Sequence, residues 1–340
     1  MDLHSKKDLQ MMDRAIENGN SVRLISPPNP WVGAVLLSQN GSIFDGATRP
    51  VGYEHAEIVC LAAAADSAKG GTLYTTLEPC SHSGNTPPCT DAIIAAGVSK
   101  VVVGVIDPDI NVNGKGIATL RSAGIEVSTG IKNEEIEEQL APYLHHRRTG
   151  RPYVVVKVAA TLDGRIAAPD GTSQWITSPL ARAEGHRLRA YSDAVCVGAG
   201  TVRVDNPRLT VRDWSPALGG EGLSNPLRVV LGDIPADALI HPCIRMEGEI
   251  GGILIELGKR DILQLLVEGG ANTIHRFHEV RMVNRYEIFL ATAFTGGNDS
   301  FPIFSGLGVT TVKDLWRGEI VNLSQIDNDI HVTIVPKIID

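Results

Sequence analysis

Apolar residues recur along the first half of the chain with the two spacings typical of helices and of buried strands. A helix is predicted at residues 7–19, and the segment WVGAVLL followed by NGS is typical of a strand that enters a hairpin. The same patterns predict further helices and short buried strands at residues 56–67, 90–97, 116–123, 72–76, 101–106 and 125–128. This alternation predicts an α/β fold in which helices cover both faces of a sheet.

The stretch LHHRRTGRP at residues 144–152 interrupts the pattern with charge, glycine and proline, and the apolar segment YVVVKVAA follows it directly. The second half then alternates again, with predicted strands and helices at residues 153–160, 194–197, 227–231, 264–267, 286–292, 179–190 and 271–279. A chain of 340 residues is also too long for one ordinary hydrophobic core. We therefore predict two α/β domains, residues 1–147 and 148–340.

Composition excludes several classes of protein. Hydrophobic residues make up 43% and charged residues 21%, which is typical of compact proteins, and the net charge is −8. Basic residues are spread thinly except at 145–148, so we expect no nucleic-acid partner, although a small anionic substrate needs only a few local arginines. The N-terminal segment has no apolar signal region and no run of 18 apolar residues occurs, so we expect a cytoplasmic protein with no membrane partner.

Five cysteines, an odd number in a chain with no export signal, argue against a disulfide framework. Cys60 lies on the apolar face of a predicted helix, so we interpret it as a core residue. His55, Cys80 and Cys89 instead supply the three His and Cys ligands of a catalytic zinc site, which keeps its fourth position for water. Zinc in such a site lowers the pKa of water enough to give a nucleophile near neutral pH.

Glu57 lies two residues after His55, at the start of the predicted helix, so both side chains can point toward one place. A carboxylate there would take a proton from water and pass it to a leaving amine, as in a hydrolytic deaminase. Cys89 follows two prolines where the next helix would begin, and a helix N-terminus favours thiolate. Two alternatives remain: chance burial of these residues, and a structural zinc closed by His82 as the fourth ligand.

The second half contains no Gly-x-Gly-x-x-Gly after a strand, so the usual dinucleotide motif is absent. It contains LLVEGGANTIHRFHE, in which an apolar strand runs through two glycines into a helix. Such a turn lets backbone amides approach a phosphate. A tight turn between strand and helix explains the glycines equally well.

The His-x-Glu and Pro-Cys motifs, with PPNPWVGAVL, TTLEPC and DPDINVNGKGIATLRSAGIEV, resemble the deaminase half of the bifunctional riboflavin-biosynthesis deaminase–reductase family. The resemblance implies a cytidine-deaminase-like α/β/α domain that binds zinc (Zn2+) through His55, Cys80 and Cys89 and moves protons with Glu57. It also implies that Asn29 points its amide at a pyrimidine ring, although a turn residue between prolines is as reasonable. The chain departs from the family at Asn85, where a basic residue is usual, and in NSVRLIS, where a Gly-rich turn is usual.

RPYVVVKVAATLDGRIA, GTSQWIT, HRLRAYSDAVCVGAGTVRVDNPRLTVR and LLVEGG resemble the reductase half of the same family, which is similar to dihydrofolate reductase and uses NADPH. The resemblance implies that the cofactor is lined by Ala159, Trp175, Thr201, Asp205, Glu268, Gly269 and Gly270. It implies that the substrate is faced by Ser173, Arg189, Leu209, Arg212 and Glu268. The two arginines suit a phosphate and Trp175 suits a nicotinamide, although a solvated arginine at 189 and a core tryptophan are alternatives.

Departures from the family occur in this half too. The segment around residues 232–262 is short and lacks a strand or two, and Asn284 and Thr292 stand where Asp and Pro are usual. Lys157 and Asp163 fall in matching stretches, but their roles stay open.

The resemblance therefore predicts deamination of a phosphoribosylamino pyrimidinone and then NADPH-dependent reduction of its ribosyl arm. The alternatives are an active deaminase with a degenerate reductase, a nucleic-acid deaminase and a structural zinc module. Because paired deaminase domains are common among relatives, we expect a homo-oligomer.

Overall fold

The computed structural model describes residues 5–82, 87–216 and 223–337, so Asn85 lies outside the described residues. The chain forms two compact units, Met1–Gly150 and Arg151–Asp340. The predicted boundary, between residues 147 and 148, lies inside a helix that ends where Gly150 adopts a φ of 68°. Within the described part of the chain, no helix combines the length and apolarity needed to cross a membrane.

The first unit is built on a mixed sheet. Its helices and strands are α1 Lys6–Ser21, β1 Gly33–Leu37, β2 Ile43–Ala47, α2 Ala56–Ala64, β3 Thr72–Leu77, α3 Cys89–Ala95, β4 Lys100–Val105, α4 Lys115–Ser122, β5 Glu126–Thr129, α5 Asn133–Gln139 and α6 Ala141–Thr149. The strand order is β2-β1-β3-β4-β5, in which β1 is antiparallel to both neighbours and β3, β4 and β5 are parallel. The predicted helices and strands of this half are confirmed, and α5 and α6 are additional.

Helices cover both faces of this sheet, as predicted. Gly33 in β1 faces the backbone of α1, whereas Gly46, paired with the next residue of β1, faces the backbone of α2. Further helices extend these two layers, because α5 contacts α1 while α3 contacts both α2 and α4. Ser5 starts α1 with a capping box, in which its hydroxyl accepts the amide of Asp8 and the Asp8 carboxylate accepts the amide of Ser5.

The second unit is built on a larger sheet. Its helices and strands are β6 Tyr153–Thr161, β7 Arg165–Ala167, α7 Pro179–Ala190, β8 Ala194–Gly198, α8 Ala199–Asp205, β9 Leu227–Leu231, β10 Ile244–Met246, α9 Ile250–Gly258, β11 Gln264–Val267, α10 Ala271–Glu279, β12 Arg285–Ala291, β13 Phe301–Pro302, β14 Gly318–Ile326 and β15 Asp329–Pro336. The strand order is β10-β9-β8-β11-β6-β12-β15-β14. The first six strands in this order, from β10 at the edge to β12, are all parallel to one another. Strands β14 and β15 form a hairpin, and β15 pairs antiparallel with β12.

Both faces of the central strands are buried. Val154, Val156 and Val158 belong to one hydrophobic cluster, and Val155 belongs to the other. This is why β6 is a nearly continuous apolar run without alternation, as parallel strands covered on both faces usually are. The sequence prediction found all of the strands from β6 to β12 except the short β7 and β10.

The departures noted in this half have ordinary structural roles. The short segment at residues 232–262 forms β10 and α9. The Oδ1 atom of Asn284 accepts a hydrogen bond from the backbone amide of Val154 at 2.8 Å, and the backbone amide of Asn284 donates to the carbonyl of Val154. These two hydrogen bonds join the start of β12 to β6. An Asn oxygen provides the same acceptor as the usual Asp, and Thr292 is exposed just after β12.

Candidate functional site

His55, Cys80 and Cys89 converge in the first unit. His55 Nδ1 lies 3.7 Å from Cys80 Sγ and 3.3 Å from Cys89 Sγ, and the three ligand atoms all lie within 4.8 Å of one another. Tetrahedral zinc, with its usual bond lengths, places nitrogen and sulfur ligands about 3.6 Å apart. The donor set and its spacing therefore fit a zinc ion.

Local structure explains how these ligands meet. His55 is the N-cap residue of α2 and Cys80 follows β3. Cys89 is the first residue of α3, and the sequence had predicted that it stands where a helix begins. The amide of Cys89 donates to Cys80 Sγ at 3.4 Å. Hydrogen bonding from Cys89 and the nearby His55 lower the pKa of the Cys80 thiol, which favours the thiolate that binds metals.

Glu57 lies beside this cluster in the first turn of α2, and only 4% of its surface is exposed. Burial raises the pKa of this carboxyl to about 7, with nearby Cys80 adding to the rise and His55 opposing it. A carboxyl that titrates near neutral pH suits proton transfer in both directions. Cys60, further along α2, is fully buried and donates to the carbonyl of Phe44, which confirms its role in the core.

A cavity of about 240 Å³ opens beside the cluster. Asn29 and His82 line it, but the ligand atom of His82 is not among those that converge in the described part of the chain. The fourth position of a metal held there would therefore stay open, as a catalytic site requires. Residues that sequence reasoning missed also line the cavity: Tyr53, Glu78, Asp107, Asp109, Tyr143 and Arg147.

The Glu78 carboxylate links two of the sequence motifs, because it lies in TTLEPC and binds the segment that follows DPDINVN. Its oxygens accept the amides of Gly114 at 2.9 Å and Ile117 at 3.2 Å, which caps the N-terminus of α4. Only glycine fits at position 116, because a Cβ there would lie 2.0 Å from the carbonyl oxygen of Pro79. These contacts hold α4 against the loop that carries Cys80.

A second cavity, of about 790 Å³, lies in the second unit. Seven of the residues predicted from the sequence line it: Ala159, Ser173, Thr201, Asp205, Glu268, Gly269 and Gly270. The amide of Gly270 donates to Thr201 Oγ1 at 3.1 Å, which joins the starts of α8 and α10. A Cβ on Gly269 would lie 2.6 Å from Thr273, so only glycine permits this close turn.

Arg189 and Glu268 form a buried ion pair beside this cavity. Arg189 donates to both carboxylate oxygens of Glu268, and the contact between Nη2 and Oε2 is 2.8 Å. Their side chains are 14% and 9% exposed, so the interpretation of Arg189 as a solvated arginine is wrong. Lys157 also lines the cavity, and burial lowers the pKa of its ammonium group.

Four predicted residues are not among those that line the cavity: Arg189, which pairs with Glu268 beside it, and Trp175, Leu209 and Arg212. Trp175 is 66% exposed, with the guanidinium carbon of Arg182 lying 4.3 Å from the ring centroid, so it is not a core tryptophan. Leu209 is buried in the hydrophobic core with a φ of 50°. Arg212 lies on the surface, with a side chain that is 51% exposed.

Asp163 has a structural role near the same unit's small sheet. It accepts the hydroxyl of Thr161 at 2.5 Å, the amide of Thr295 at 3.3 Å and the amide of Gly296 at 3.0 Å. These hydrogen bonds lower the pKa of Asp163 to about 2. The residue therefore ties the turn after β6 to the loop after β12.

Known families match both halves of the chain. Residues 5–105 match the family described as cytidine and deoxycytidylate deaminase zinc-binding region, and residues 152–332 match the RibD C-terminal domain. These matches confirm the predicted cytidine-deaminase-like domain and reductase domain similar to dihydrofolate reductase. They imply a zinc ion and a nicotinamide cofactor.

Relatives match nearly the whole chain. The riboflavin biosynthesis protein RibD of Chlamydia trachomatis is 38% identical over 330 residues, which is 87% of each chain. That of Mycobacterium tuberculosis is 36% identical and covers 96% of this chain and 97% of its own.

Solved structures agree with these relatives. Acinetobacter baumannii RibD is 33% identical, covers 98% of this chain and 99% of its own, and has a TM-score of 0.92. The diaminohydroxyphosphoribosylaminopyrimidine deaminase/5-amino-6-(5-phosphoribosylamino)uracil reductase of Thermotoga maritima is 34% identical, covers 97% and 99% and has a TM-score of 0.85. This chain therefore belongs to the RibD family of riboflavin biosynthesis proteins and is a bifunctional enzyme with a deaminase half and a reductase half.

Proposed function

We propose that residues 1–147 hydrolytically deaminate 2,5-diamino-6-(5-phosphoribosylamino)pyrimidin-4(3H)-one and that residues 148–340 reduce the product with NADPH to 5-amino-6-(5-phosphoribitylamino)uracil. The observation that carries the first step is the convergence of His55, Cys80 and Cys89, with His55, Cys80 and the buried Glu57 lining one cavity. The Thermotoga maritima relative, whose name states both activities on such a substrate, supports the substrate class.

In the deaminase half, His55, Cys80 and Cys89 would hold the zinc ion. Zinc in such a site acts as a Lewis acid and makes water nucleophilic near neutral pH. Glu57 takes a proton from the attacking water and delivers it to the ring amine, which leaves as ammonia while oxygen takes its place. The Asn29 amide, which lines the same cavity, orients the pyrimidine ring.

In the reductase half, the second cavity would hold the cofactor along Ala159, Thr201, Asp205, Gly269 and Gly270. The exposed Trp175 ring would be free to pack against the nicotinamide. A bound nicotinamide supplies a hydride. The turn before α10 brings backbone amides and a helix N-terminus to the cavity, which suits the cofactor's pyrophosphate.

Arg203 and Arg276 support NADPH rather than NADH. Both line the second cavity, and each guanidinium donates to one backbone carbonyl, that of Asp233 at 2.9 Å and that of Gly248 at 2.7 Å. An arginine keeps further donors when one is used, and a phosphate monoester is a good partner for them. We therefore assign these two arginines to the additional phosphate of NADPH.

The substrate of the reductase would lie beside Ser173 and Glu268, with Arg212 available to its phosphate. Because the Arg189 guanidinium already binds Glu268, its role is to hold that carboxylate in place. Reduction of the ribosyl arm adds a hydride to the anomeric carbon and a proton to the ring oxygen that leaves it. Lys157, whose pKa is lowered by burial, is the proton donor that we assign to this oxygen.

The test is to incubate the purified, zinc-loaded chain with the diaminopyrimidinone phosphate, with and without NADPH. We expect ammonia release in both cases, the uracil product without NADPH and the ribityl product with it. NADH should support the second step much less well. Ammonia release without any NADPH consumption would favour the degenerate-reductase alternative, and no ammonia release would refute the proposal.

Two expectations from the sequence also remain proposals. We propose that the enzyme acts in the cytoplasm, which the phosphorylated substrate class named for the Thermotoga maritima relative supports. We also propose a homo-oligomer, which light scattering of the purified chain tests directly: a monomer at micromolar concentration would refute it.

A further inference from the structure

The cavity of the deaminase half has an unbalanced charge. Four carboxyl groups line it, those of Glu57, Glu78, Asp107 and Asp109. Among the described residues that line the cavity, Arg147 is the one lysine or arginine. A phosphorylated substrate that enters here meets repulsion from the carboxylates, so its phosphate needs a cation to oppose them.

Helix α6 holds Arg147 at this cavity by packing. The guanidinium carbon lies 5.1 Å from the centroid of the Tyr143 ring, one turn earlier in the helix. Tyr143 is itself fixed, because its side chain is buried and its hydroxyl donates to Asp107 Oδ2 at 3.0 Å. An arginine stacked on a fixed ring keeps its planar fork in a defined orientation.

The guanidinium retains an unused donor at Nε. Arg147 Nε lies 3.7 Å from Asp109 Oδ2, which is within ion-pair distance but too long for a hydrogen bond. The Nε atom is buried and has no hydrogen-bond partner in the described part of the chain. The side chain as a whole is 27% exposed, so an anion can reach it from the cavity mouth.

The size of the cavity indicates which part of a substrate would reach Arg147. About 240 Å³ is small for a ligand site, and the pyrimidine ring must lie deepest, beside Glu57 and the zinc ligands. The phosphate, at the other end of the ribosyl arm, then lies toward the mouth. Among the described residues that line the cavity, Arg147 is the one lysine or arginine that can meet it.

We propose that Arg147 is a specificity-determining residue that binds the phosphate ester of the deaminase substrate, an assignment that rests on the proposed function of this half. The phosphate oxygens accept hydrogen bonds from the guanidinium and displace its long contact with Asp109. Losing a charge-assisted hydrogen bond of this kind typically weakens binding about ten- to a hundredfold.

The experiment compares two substrates, the diaminopyrimidinone with its phosphate and the same compound without it. In the zinc-loaded full chain, Arg147→Gln should raise KM for the phosphorylated substrate about ten- to a hundredfold with kcat nearly unchanged. Turnover of the dephosphorylated compound should stay as in the unmutated chain. Ribose 5-phosphate should inhibit that turnover competitively, and Arg147→Gln should relieve the inhibition.

Arg148→Gln is the matched control. It lies next to Arg147 in α6, but its guanidinium donates to Glu137 at 2.8 Å and it is not among the cavity-lining residues, so both substrates should behave as before. Equal effects of Arg147→Gln on both substrates would make Arg147 a structural support and overturn the proposal, as would no effect. If the unmutated chain releases no ammonia from either substrate, the proposed function itself fails.

Discussion

Replacement of Glu57 by glutamine tests the chemistry of the deaminase half most directly. The substitution keeps the size of the side chain and removes its ability to exchange a proton. Only 4% of Glu57 is exposed, and this burial, which raises the pKa of the carboxyl, favours a neutral side chain at this position. The variant should therefore fold normally and keep the arrangement of His55, Cys80 and Cys89.

The expected loss follows from the role assigned to the carboxyl group. General acid–base catalysis by one positioned group contributes about two to four decades in rate, which corresponds to about 3 to 5 kcal/mol of activation free energy. Because Glu57 would both accept and deliver the proton, we expect a fall of this size in kcat. The KM should change little, since glutamine occupies the same space.

The assay has two readouts: ammonia release under saturating substrate, and zinc content of the purified protein by atomic spectroscopy. Glu54→Gln is the control, because Glu54 lies on the exposed turn before α2 and pairs there with Arg49 at 3.3 Å. It should leave both readouts unchanged. Full turnover in Glu57→Gln would refute the proton-transfer role, and loss of zinc would make Glu57 a ligand or a support for one.

Other substitutions test the remaining parts of the structure. Cys80→Ser should lose zinc and ammonia release while NADPH consumption with the deaminated intermediate stays intact, and retention of full deaminase activity would contradict the metal site. Arg189→Ala leaves Glu268 buried without its partner and should lower the free energy of unfolding by about 3 to 5 kcal/mol. Arg187→Ala breaks a more exposed ion pair in the same helix and should lower it by at most about 1 kcal/mol. Equal losses of stability in denaturant titrations would refute the difference expected between the buried and the exposed pair. Burial raises the pKa of Asp107 from its usual value to about 6, so its contribution to stability is lost as pH rises from about 4 to about 6. At pH 7.5, Asp107→Asn should therefore be more stable than the unmutated protein by up to about 3 kcal/mol, and below a pH of about 4 the two should be equally stable. A difference in stability that is the same at all pH values would show that the Asp107 carboxyl does not titrate in this way.

Features that depend only on residues close together in the chain could be predicted without the structure. Apolar periodicity located the helices and strands of the first half, and the residue types in His-Ala-Glu and Pro-Cys specified a zinc-ligand set with a proton-transfer group. The position of Cys89 at the first residue of α3 was also predictable, because two prolines precede it. The charged segment of α5 and α6 has little apolar periodicity, so it was not predicted as helical.

Contacts between side chains that are far apart in the chain could not be predicted in this way. Glu78 caps α4 from a position 36 residues before Gly114, and Arg189 binds Glu268 across 79 residues of chain. Tyr143 donates to Asp107 because α6 packs beside the loop after β4, a contact that no local pattern contains. Such pairs form because a buried charge or donor must find a partner wherever the packing of helices on the sheet places one, and that packing is a property of the whole unit.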